Sequence, residues 1–259
     1  PIHVSTQASI INSETAKMWT SLGVKRIVLA REASLSESMK IKSSANIETE
    51  VFIHGAMCSS FSGKCTISNV ASGRDSNRGG CIQSCRHNYQ LSNGNSHHIM
   101  NSKDLRGLEL IPDYFKYNID AVKIEGRMKS PLYVANAVQQ YRKAIDLYHE
   151  SPDQFYQQAP TLSANLERAS NRGFTSASLS SPAGKSSISY DWNGYNKRNQ
   201  FVGFIRKTNG SQALLHAKVP IKPNLPYFFI SPNQSSIAKT TISKLISPIG
   251  TELNELKAN

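Results

Sequence analysis

All four cysteines of the chain lie in one stretch, Cys58 to Cys85, with the spacing C-x6-C-x15-C-x3-C. Thiolate sulfur is the ligand that zinc and iron–sulfur centres take from cysteine. This stretch, the cysteine loop, is rich in glycine and serine and lacks the apolar period of a helix or strand, so it is predicted to be a loop. Long loops inside compact domains usually serve a function. The four thiols therefore indicate a metal or cluster that gives the loop its shape.

Spacing alone leaves four explanations of the cysteine loop open. Disulfides need an oxidising compartment, and no signal peptide is visible in the sequence. Structural zinc usually takes cysteine pairs spaced two to four apart, which the six-residue gap fits poorly. An iron–sulfur cluster tolerates looser spacing. Four unrelated buried thiols are the fourth explanation, because free cysteine is often buried. We expect the sulfurs to converge without a metal, or to pair as disulfides.

The balance of charge points to a polyanionic partner. The net charge is +12 at pH 7, and basic residues are in excess both before and after residue 150. Such a surface attracts nucleic acid, although charge that serves solubility gives the same excess. Arg74 and Arg78, within the cysteine loop, are the candidates for contacts with RNA phosphates. No run approaches about 18 apolar residues, so no membrane is expected as a partner, and we expect a cytoplasmic protein.

The segments around the cysteine loop alternate between strand and helix patterns. The predicted strands are His3–Ser9, Arg26–Ala30, Thr49–Ala56, His97–Ser102 and Ala121–Arg127. The predicted helices begin at Ser13, at Ser34 or Ser36, at Asp104 (ending at Tyr117), and at Pro131. This order is typical of a parallel sheet covered by helices, either open or closed into a (β/α)8 barrel.

Polar side chains at the ends of several strands favour the barrel. Arg31 follows the second strand, His54 and the cysteine loop end the third, and Glu125 and Arg127 end the fifth. Barrel enzymes gather their sites from the carboxyl ends of several strands, whereas an open sheet uses one switch point. A full barrel needs eight units, and residues 1–150 supply about five. We therefore predict a partial TIM-like barrel that lacks its first strands and has an exposed edge at the first predicted strand.

The composition changes after residue 150. Residues 151–199 are predicted to be a connector, helical at Leu162–Ser170 and then rich in Ser, Gly and Asn. Residues 200–259 alternate short strands with Asn-Gly, Pro-Asn and Pro-Asn-Gln turns, a pattern typical of a small antiparallel sheet. The predicted organisation is α/β: a partial barrel over residues 1–150 that carries the cysteine loop, the connector, and a small all-β domain.

Several blocks resemble the peptidase U32 family, also called collagenase-like proteases. These blocks are STQASI, VLARE, EVFIHGAMC, SGKC, GRDSNRGGC, QSCR, NSKDL and KIEGRMKSPLYVA. The cysteine spacing most resembles the tRNA-hydroxylation branch, which makes 5-hydroxyuridine at the wobble position and depends on prephenate. Sister branches hydroxylate a ribosomal-RNA cytidine or serve ubiquinone hydroxylation. The resemblance implies a TIM-like barrel followed by a small β-domain.

The resemblance also implies a cofactor and partners. The family's cluster ligands correspond to Cys58, Cys65, Cys81 and Cys85, and the implied cofactor is an iron–sulfur cluster, expected to be [4Fe–4S], with zinc as the alternative metal. tRNA is the implied substrate. Iron–sulfur delivery or electron-transfer proteins are further expected partners, and the oligomeric state is left open.

Further site residues are assigned by their chemistry. Arg31 and Arg86, together with Lys123 and Arg127, are the candidates to hold the carboxylates of prephenate, because guanidinium pairs with carboxylate through two hydrogen bonds. The candidate catalytic residues are His54 as a proton shuttle near neutral pH, Glu125 as a base or as a partner of Arg127, and Lys123 and Arg127 as further cations.

Two function classes compete with RNA hydroxylation. One is a protease, for which His54 with Ser59 or Ser60 would be the base and nucleophile, although H-E-x-x-H and G-x-S-x-G motifs are absent from the sequence. The other is an RNA-binding module with structural zinc.

Overall fold

A computed structural model describes residues 1–196, 199–231 and 237–258. The helices are α1 (Ser13–Ser21), α2 (Leu35–Ala45), α3 (Ile67–Ser72), α4 (Ile111–Lys116), α5 (Pro131–Glu150) and α6 (Pro152–Leu166). The strands are β1 (His3–Val4), β2 (Arg26–Val28), β3 (Glu48–Ala56), β4 (Tyr89–Gln90), β5 (Ser96–His97), β6 (Asp104–Arg106), β7 (Ala121–Glu125), β8 (Phe174–Thr175), β9 (Gly203–Asn209), β10 (Gln212–Ala217), β11 (Pro226–Phe229), β12 (Ala238–Thr241), β13 (Leu245–Ile246) and β14 (Glu252–Leu253).

The main sheet is organised around β3. Strands β1, β2 and β3 run in parallel, and β7 lies parallel to β3 with Phe52 opposite Lys123. The last residues of β3 also pair with β6, which runs antiparallel and places Ala56 opposite Asp104. β8 then pairs with β6 in parallel. Because β2 and β6 pair with separate parts of β3 and β7 overlaps both, β2 and β6 share one side of β3 and β7 occupies the other.

The α/β class is confirmed, and closure into a barrel stays a prediction. Five strands form an open path in the order β1-β2-β3-β6-β8, and β7 pairs with β3 off this path. Helices pack against the sheet, and the remaining described strands form small antiparallel pairs. Within the described residues, β1 pairs with β2 alone, so its outer edge has no strand partner. That edge matches the predicted exposed edge in position, although β1 covers only His3–Val4.

Local signals in the sequence explain where the long helices begin. Ser34 forms a capping box with Glu37 at the start of α2, which satisfies two orphan N–H groups. Ser130 caps α5 and Pro131 occupies its first turn, where the missing N–H is not needed. The buried face of α5 carries Tyr133 and Tyr141, eight positions apart and therefore on one side of the helix.

Two predictions of strand extent are wrong. The strand predicted over His3–Ser9 stops at Val4, because the Ser5 side chain accepts a hydrogen bond that begins a 3-10 turn. Of the strand predicted over His97–Ser102, only His97 belongs to a strand, β5. The backbone that follows bonds to a distant segment instead, because the His98 N–H donates to the Tyr190 carbonyl.

The helix predicted over Asp104–Tyr117 is also wrong at its start. Asp104 belongs to β6, and α4 begins only at Ile111. The expectation treated Asp104 as a cap for backbone N–H groups. Its carboxylate instead binds the side chains of Lys129 and Arg172, so it is a partner in a long-range ion pair.

The C-terminal segment has a small hydrophobic cluster of its own. Ala217, Ile221 and Leu245 are buried there, separately from the main core. The hairpin of β9 and β10 turns at the predicted Asn-Gly pair, while the predicted Pro-Asn-Gln turn lies outside the described residues. The connector is helical earlier than predicted, since α6 begins at Pro152. The three-part division stays a prediction. Among the described residues, none of the helices is long and apolar enough to cross a membrane.

Candidate functional site

The start of the cysteine loop is fastened to the carboxyl ends of β1 and β2. The Ser62 N–H donates to Glu32 Oε1 at 3.0 Å, and the Arg31 N–H donates to Ser62 Oγ at 3.0 Å. Gly63 follows with a φ of +72°, and a Cβ there would lie 2.2 Å from the Gln7 carbonyl oxygen. Only glycine allows this approach without displacing the backbone. The loop is therefore held over the ends of the strands.

Arg86 links Met57 and Ser102, the residues at the two ends of the segment that contains the cysteine loop. Its guanidinium donates to the Met57 carbonyl at 2.7 Å, the Ser102 carbonyl at 2.8 Å and Asn101 Oδ1 at 3.1 Å. Its Nε is buried without a partner among the described residues. Two of these three bonds go to backbone carbonyls, so Arg86 positions the loop, and its predicted binding of a cofactor carboxylate stays a prediction.

All four cysteines are free thiols, which overturns the disulfide alternative. Cys58 and Cys81 are exposed, whereas Cys65 and Cys85 are half-buried. Burial among protein atoms disfavours the charged thiolate and raises the pKa of both Cys58 and Cys85. Charge on the neighbouring cysteines raises each pKa further, and Arg31 and Arg86 lower the pKa of Cys58 and Cys85, respectively. The four thiols are thus electrostatic neighbours.

The sulfurs do not form a finished ligand set. Within the described ranges, no group of three or more His, Cys, Asp or Glu side chains is arranged to hold a metal ion. The expectation that the sulfurs would already converge is therefore wrong. The donor chemistry still fits a thiolate-bound centre, because four free, mutually interacting thiols share one loop. Cluster binding stays a prediction.

Arg31 and Lys123 meet on one aromatic ring beside the loop. The Arg31 guanidinium lies 4.1 Å from the centroid of Phe52, and Lys123 Nζ lies 5.6 Å from the same centroid. Lys123 also pairs with Glu50 Oε1 at 3.0 Å. Burial lowers the pKa of Arg31, and the charges of Cys58 and Glu125 oppose that shift. Arg31 Nε is buried without a partner in the described structure.

Glu125 and Arg127 connect β7 to the cysteine loop. The Arg127 N–H donates to Glu125 Oε1 at 3.1 Å, and its guanidinium reaches the Gly79 carbonyl at 3.4 Å. At Gly55 on β3, with a φ of +114°, a Cβ would lie 2.0 Å from the Glu125 carbonyl oxygen. This close approach places Glu125 directly beside the end of β3. The Glu125 carboxylate thus holds the backbone of Arg127, and orientation of the Arg127 guanidinium by Glu125 stays a prediction.

The structure corrects the proton-shuttle role of His54. Its side chain is only 1 % exposed, and its ring contacts Tyr133, Tyr141 and Phe174 at centroid distances of 5.4 to 5.6 Å. Burial lowers the pKa of His54 to about 3, helped by the charges of Lys129 and Arg106. The imidazole is therefore neutral near pH 7. The pairing of β3 with β7 is irregular between Phe52 and His54, so the simple alternation of side chains along β3 is interrupted there.

Sequence reasoning missed a buried charge network beside the loop. Asp104 is fully buried; its Oδ1 accepts from Arg172 Nε at 3.0 Å and its Oδ2 from Lys129 Nζ at 3.1 Å. Burial raises the pKa of Asp104, and the charge of Lys129 opposes that shift. Asp104 and Lys129 both lie in sequence blocks that resemble the family. Neither block indicates that Arg172 is the partner of Asp104.

Arg74 and Arg78 are exposed in the cysteine loop. Within the described residues, neither guanidinium forms an ion pair. They contrast with Arg86 and Arg172, whose terminal guanidinium nitrogens bond to protein groups. Arg74 and Arg78 are therefore placed to meet an external anion.

Comparisons with known proteins agree on one family. The model of peptidase family U32 matches residues 1–189. The tRNA hydroxylation protein P1 of Bacillus subtilis is 39% identical over 216 residues, which cover 79% of this chain and 51% of that protein. The tRNA hydroxylation protein P of Helicobacter pylori is 41% identical over 198 residues, covering 69% of this chain and 46% of that protein.

A ribosomal-RNA enzyme also matches. A 23S rRNA 5-hydroxycytidine synthase of Escherichia coli is 36% identical over 151 residues, covering 56% of this chain and 23% of that enzyme. The chain spans about half the length of the tRNA hydroxylation proteins it matches. No solved structure matches the chain significantly.

Proposed function

Since this chain belongs to peptidase family U32, we propose that it is part of an RNA-modifying oxidoreductase that hydroxylates the wobble uridine of tRNA to 5-hydroxyuridine. The observation that carries the proposal is the set of four free thiols in one loop, held over the ends of the strands beside Arg31 and Lys123. The names of two similar proteins, both tRNA hydroxylation proteins, support the choice of RNA.

In this proposal Cys58, Cys65, Cys81 and Cys85 hold a [4Fe–4S] cluster, with zinc as the alternative metal. When bound, such a cluster supplies electron transfer at a potential tuned by nearby hydrogen bonds and burial. The loop must move its sulfurs together on binding, which couples metal uptake to local folding. Iron–sulfur delivery and electron-transfer proteins are the partners that this chemistry requires.

The reaction sets the need for a second reactant. Replacing C–H by C–OH at C5 of uridine adds one oxygen atom and removes two electrons from the base. A co-reactant must therefore accept two electrons, and the oxygen comes from that co-reactant or from water. The electron-transfer partner is the proposed two-electron acceptor, with water as the source of oxygen, and prephenate, a dicarboxylate, is proposed as a bound ligand on which the reaction depends. Arg31 and Lys123 hold its carboxylates, and Glu125, beside the end of β3, accepts a proton.

Arg74 and Arg78 contact the phosphates of the anticodon loop in this proposal. Their side chains are exposed and unpaired in the described structure, and phosphate contacts supply most nucleic-acid affinity. A tRNA substrate places the protein in the cytoplasm.

The proteolytic activity in the family's name finds little support here. A serine nucleophile at Ser59 or Ser60 would need His54 as its base. His54 is enclosed by three aromatic rings, and burial keeps its pKa near 3. Such a group is a poor acceptor for a serine proton at neutral pH.

Nucleoside mass spectrometry tests the proposal. Cells that lack the full-length gene should lose 5-hydroxyuridine from tRNA, and a wild-type copy should restore it. A Cys65→Ser copy should not restore it, whereas Ser44→Ala, an exposed change on α2, should. Unchanged 5-hydroxyuridine in the deletion would refute the tRNA assignment, and loss of 5-hydroxycytidine from 23S rRNA instead would favour the ribosomal alternative.

A further inference from the structure

A cavity of about 400 Å³ opens beside Cys58, between the start of the cysteine loop and residues 175–190. Of its lining residues, Cys58 alone has a role in the proposed function. Besides Cys58, its lining includes Ser102, Thr175, Lys185, Ser187 and Tyr190. The volume is within the range of small-molecule sites, which start at roughly 300 Å³.

Hydrogen bonds from separate segments hold the cavity walls. Arg86 binds the carbonyls of Met57 and Ser102, which lie on two of the walls. The hydroxyls of Thr175 and Ser187 are 3.1 Å apart, and the Lys103 N–H donates to the Ser187 carbonyl at 2.9 Å. The walls are thus tied together before any ligand arrives, so the cavity is preformed.

The lining chemistry suits a neutral, flat, polar ligand attached to an anion. Serine and threonine hydroxyls offer donors and acceptors, and Tyr190, 39% exposed, offers an aromatic face. Lys185 is the one charged side chain among the described lining residues, and no carboxylate lines the cavity. A nucleobase with its phosphates has this combination of properties, and single-stranded loops release bases for such pockets.

A dicarboxylate fits this cavity less well. Two carboxylates call for two cations, and Lys185 is alone here. The paired cations of the site, Arg31 and Lys123, lie at Phe52 instead. The nucleobase with its phosphate and the dicarboxylate therefore have separate binding places, each with the number of cations that its charge requires.

We propose that this cavity receives the pyrimidine base turned out of the anticodon loop, with Tyr190 stacking on the base and Lys185 contacting an adjacent phosphate. The inference rests on the proposed function and specifies its substrate site. Cys58 in the cavity wall puts the bound base next to the cysteine loop.

Binding of two synthetic RNAs by the full-length protein tests this assignment. One probe is an anticodon stem–loop with uridine at the wobble position, and the other is the same stem–loop with an abasic wobble nucleotide. Stacking and pocket contacts should make the uridine probe bind about tenfold more tightly. Tyr190→Ala should reduce that ratio to about one and leave the abasic probe's affinity unchanged, because only the base contact is lost.

Matched variants separate base contact from general damage. Tyr190→Phe keeps the ring and should keep the ratio, as should Tyr156→Ala, which removes an exposed tyrosine on α6. Lys185→Gln should weaken both probes equally. If Tyr190→Ala unfolds, Tyr190→Leu gives the same comparison with more apolar volume retained.

The two possible failures are distinguishable. If wild type and Tyr190→Ala show the same ratio, the cavity does not hold the base, although the proposed function can stand. If the wild-type protein binds neither probe even at low salt, the proposed function fails, and the inference fails with it.

Discussion

The cysteine loop and the charge network around Asp104 both adjoin the carboxyl end of β3, yet they treat polar groups in opposite ways. Asp104 pairs with Ala56 in the sheet, and its carboxylate is fully buried between Arg172 and Lys129. In the loop, Arg74 and Arg78 are exposed, and the thiols are free. The difference teaches that a charged residue at a strand end is informative only when its partners are known.

The largest expected effect is on the loop. Cys58→Ser, Cys65→Ser, Cys81→Ser and Cys85→Ser should each abolish iron binding and disorder the loop, because metal binding also supplies folding free energy. Iron analysis after anaerobic purification, with limited proteolysis of the loop, measures both effects. Full iron content in all four variants would show that the thiols are not the ligands.

In the charge network, the variant Asp104→Ala should lower the free energy of unfolding of the protein. It leaves Arg172 buried without its carboxylate, and breaking a buried pair from one side costs about 3–5 kcal/mol. Urea unfolding gives the free energy of unfolding. The control is Asp146→Ala, which breaks an exposed i,i+4 pair with Arg142 and should cost at most about 0.5 kcal/mol. An equal loss of unfolding free energy in the two variants would show that the buried charge network contributes no more to stability than an exposed ion pair.

The pH dependence of the free energy of unfolding tests the burial of His54. Its folded-state pKa is lowered to about 3, below the ordinary value of 6.5. Between these values the unfolded chain binds the extra proton, so the contribution to stability is complete above pH 6.5 and declines as pH falls. From pH 7 to 5 the loss is about 2 kcal/mol.

A pair of variants isolates the titration from packing. His54→Phe should flatten the decline of unfolding free energy below pH 6.5, because no proton is taken up at that position. Phe174→Leu, which alters a ring against His54, should lower stability at every pH and keep the decline. An identical pH dependence in wild type and His54→Phe would contradict the buried, neutral state.

The smallest expected effect concerns the exposed arginines. Arg74→Glu with Arg78→Glu should weaken tRNA binding and flatten its salt dependence by about 0.7 in log–log slope per lost single-strand phosphate contact. Iron content should stay unchanged. Lys40→Glu, an exposed change on α2, is the control. A slope equal to that of wild type would mean that the two arginines do not contact RNA phosphates.

The sequence was sufficient for features that depend on near neighbours. Ser34 and Ser130 show the starts of α2 and α5, because caps act within one turn of the helix. The blocks around the cysteines identified the family, whose model then matched residues 1–189. The cysteine loop was located from glycine content and missing periodicity, but the prediction of a loop throughout was wrong at α3, a short helix over Ile67–Ser72 inside it.

Features that depend on distant partners could not be predicted. Asp104 resembles a helix cap until Arg172, 68 positions away, is seen to bind it. His54 looked accessible at a strand end until the rings of α5 covered it. The bonds from Arg86 to Met57 and Ser102 also became visible only in the structure. Each of these features arises from long-range contacts that a local pattern does not encode.

The bonds from Arg86 to Met57 and Ser102 also divide the intervening chain into two segments. Beyond Arg86, β4 and β5 form a short hairpin whose tip, Asn93–Gly94, is exposed. Doubling a flexible loop costs only about 0.6 kcal/mol in closure entropy. A peptide tag or fluorescent label inserted at this tip should therefore be accommodated, and it would give an engineered reporter attached to the cysteine loop without altering a thiol.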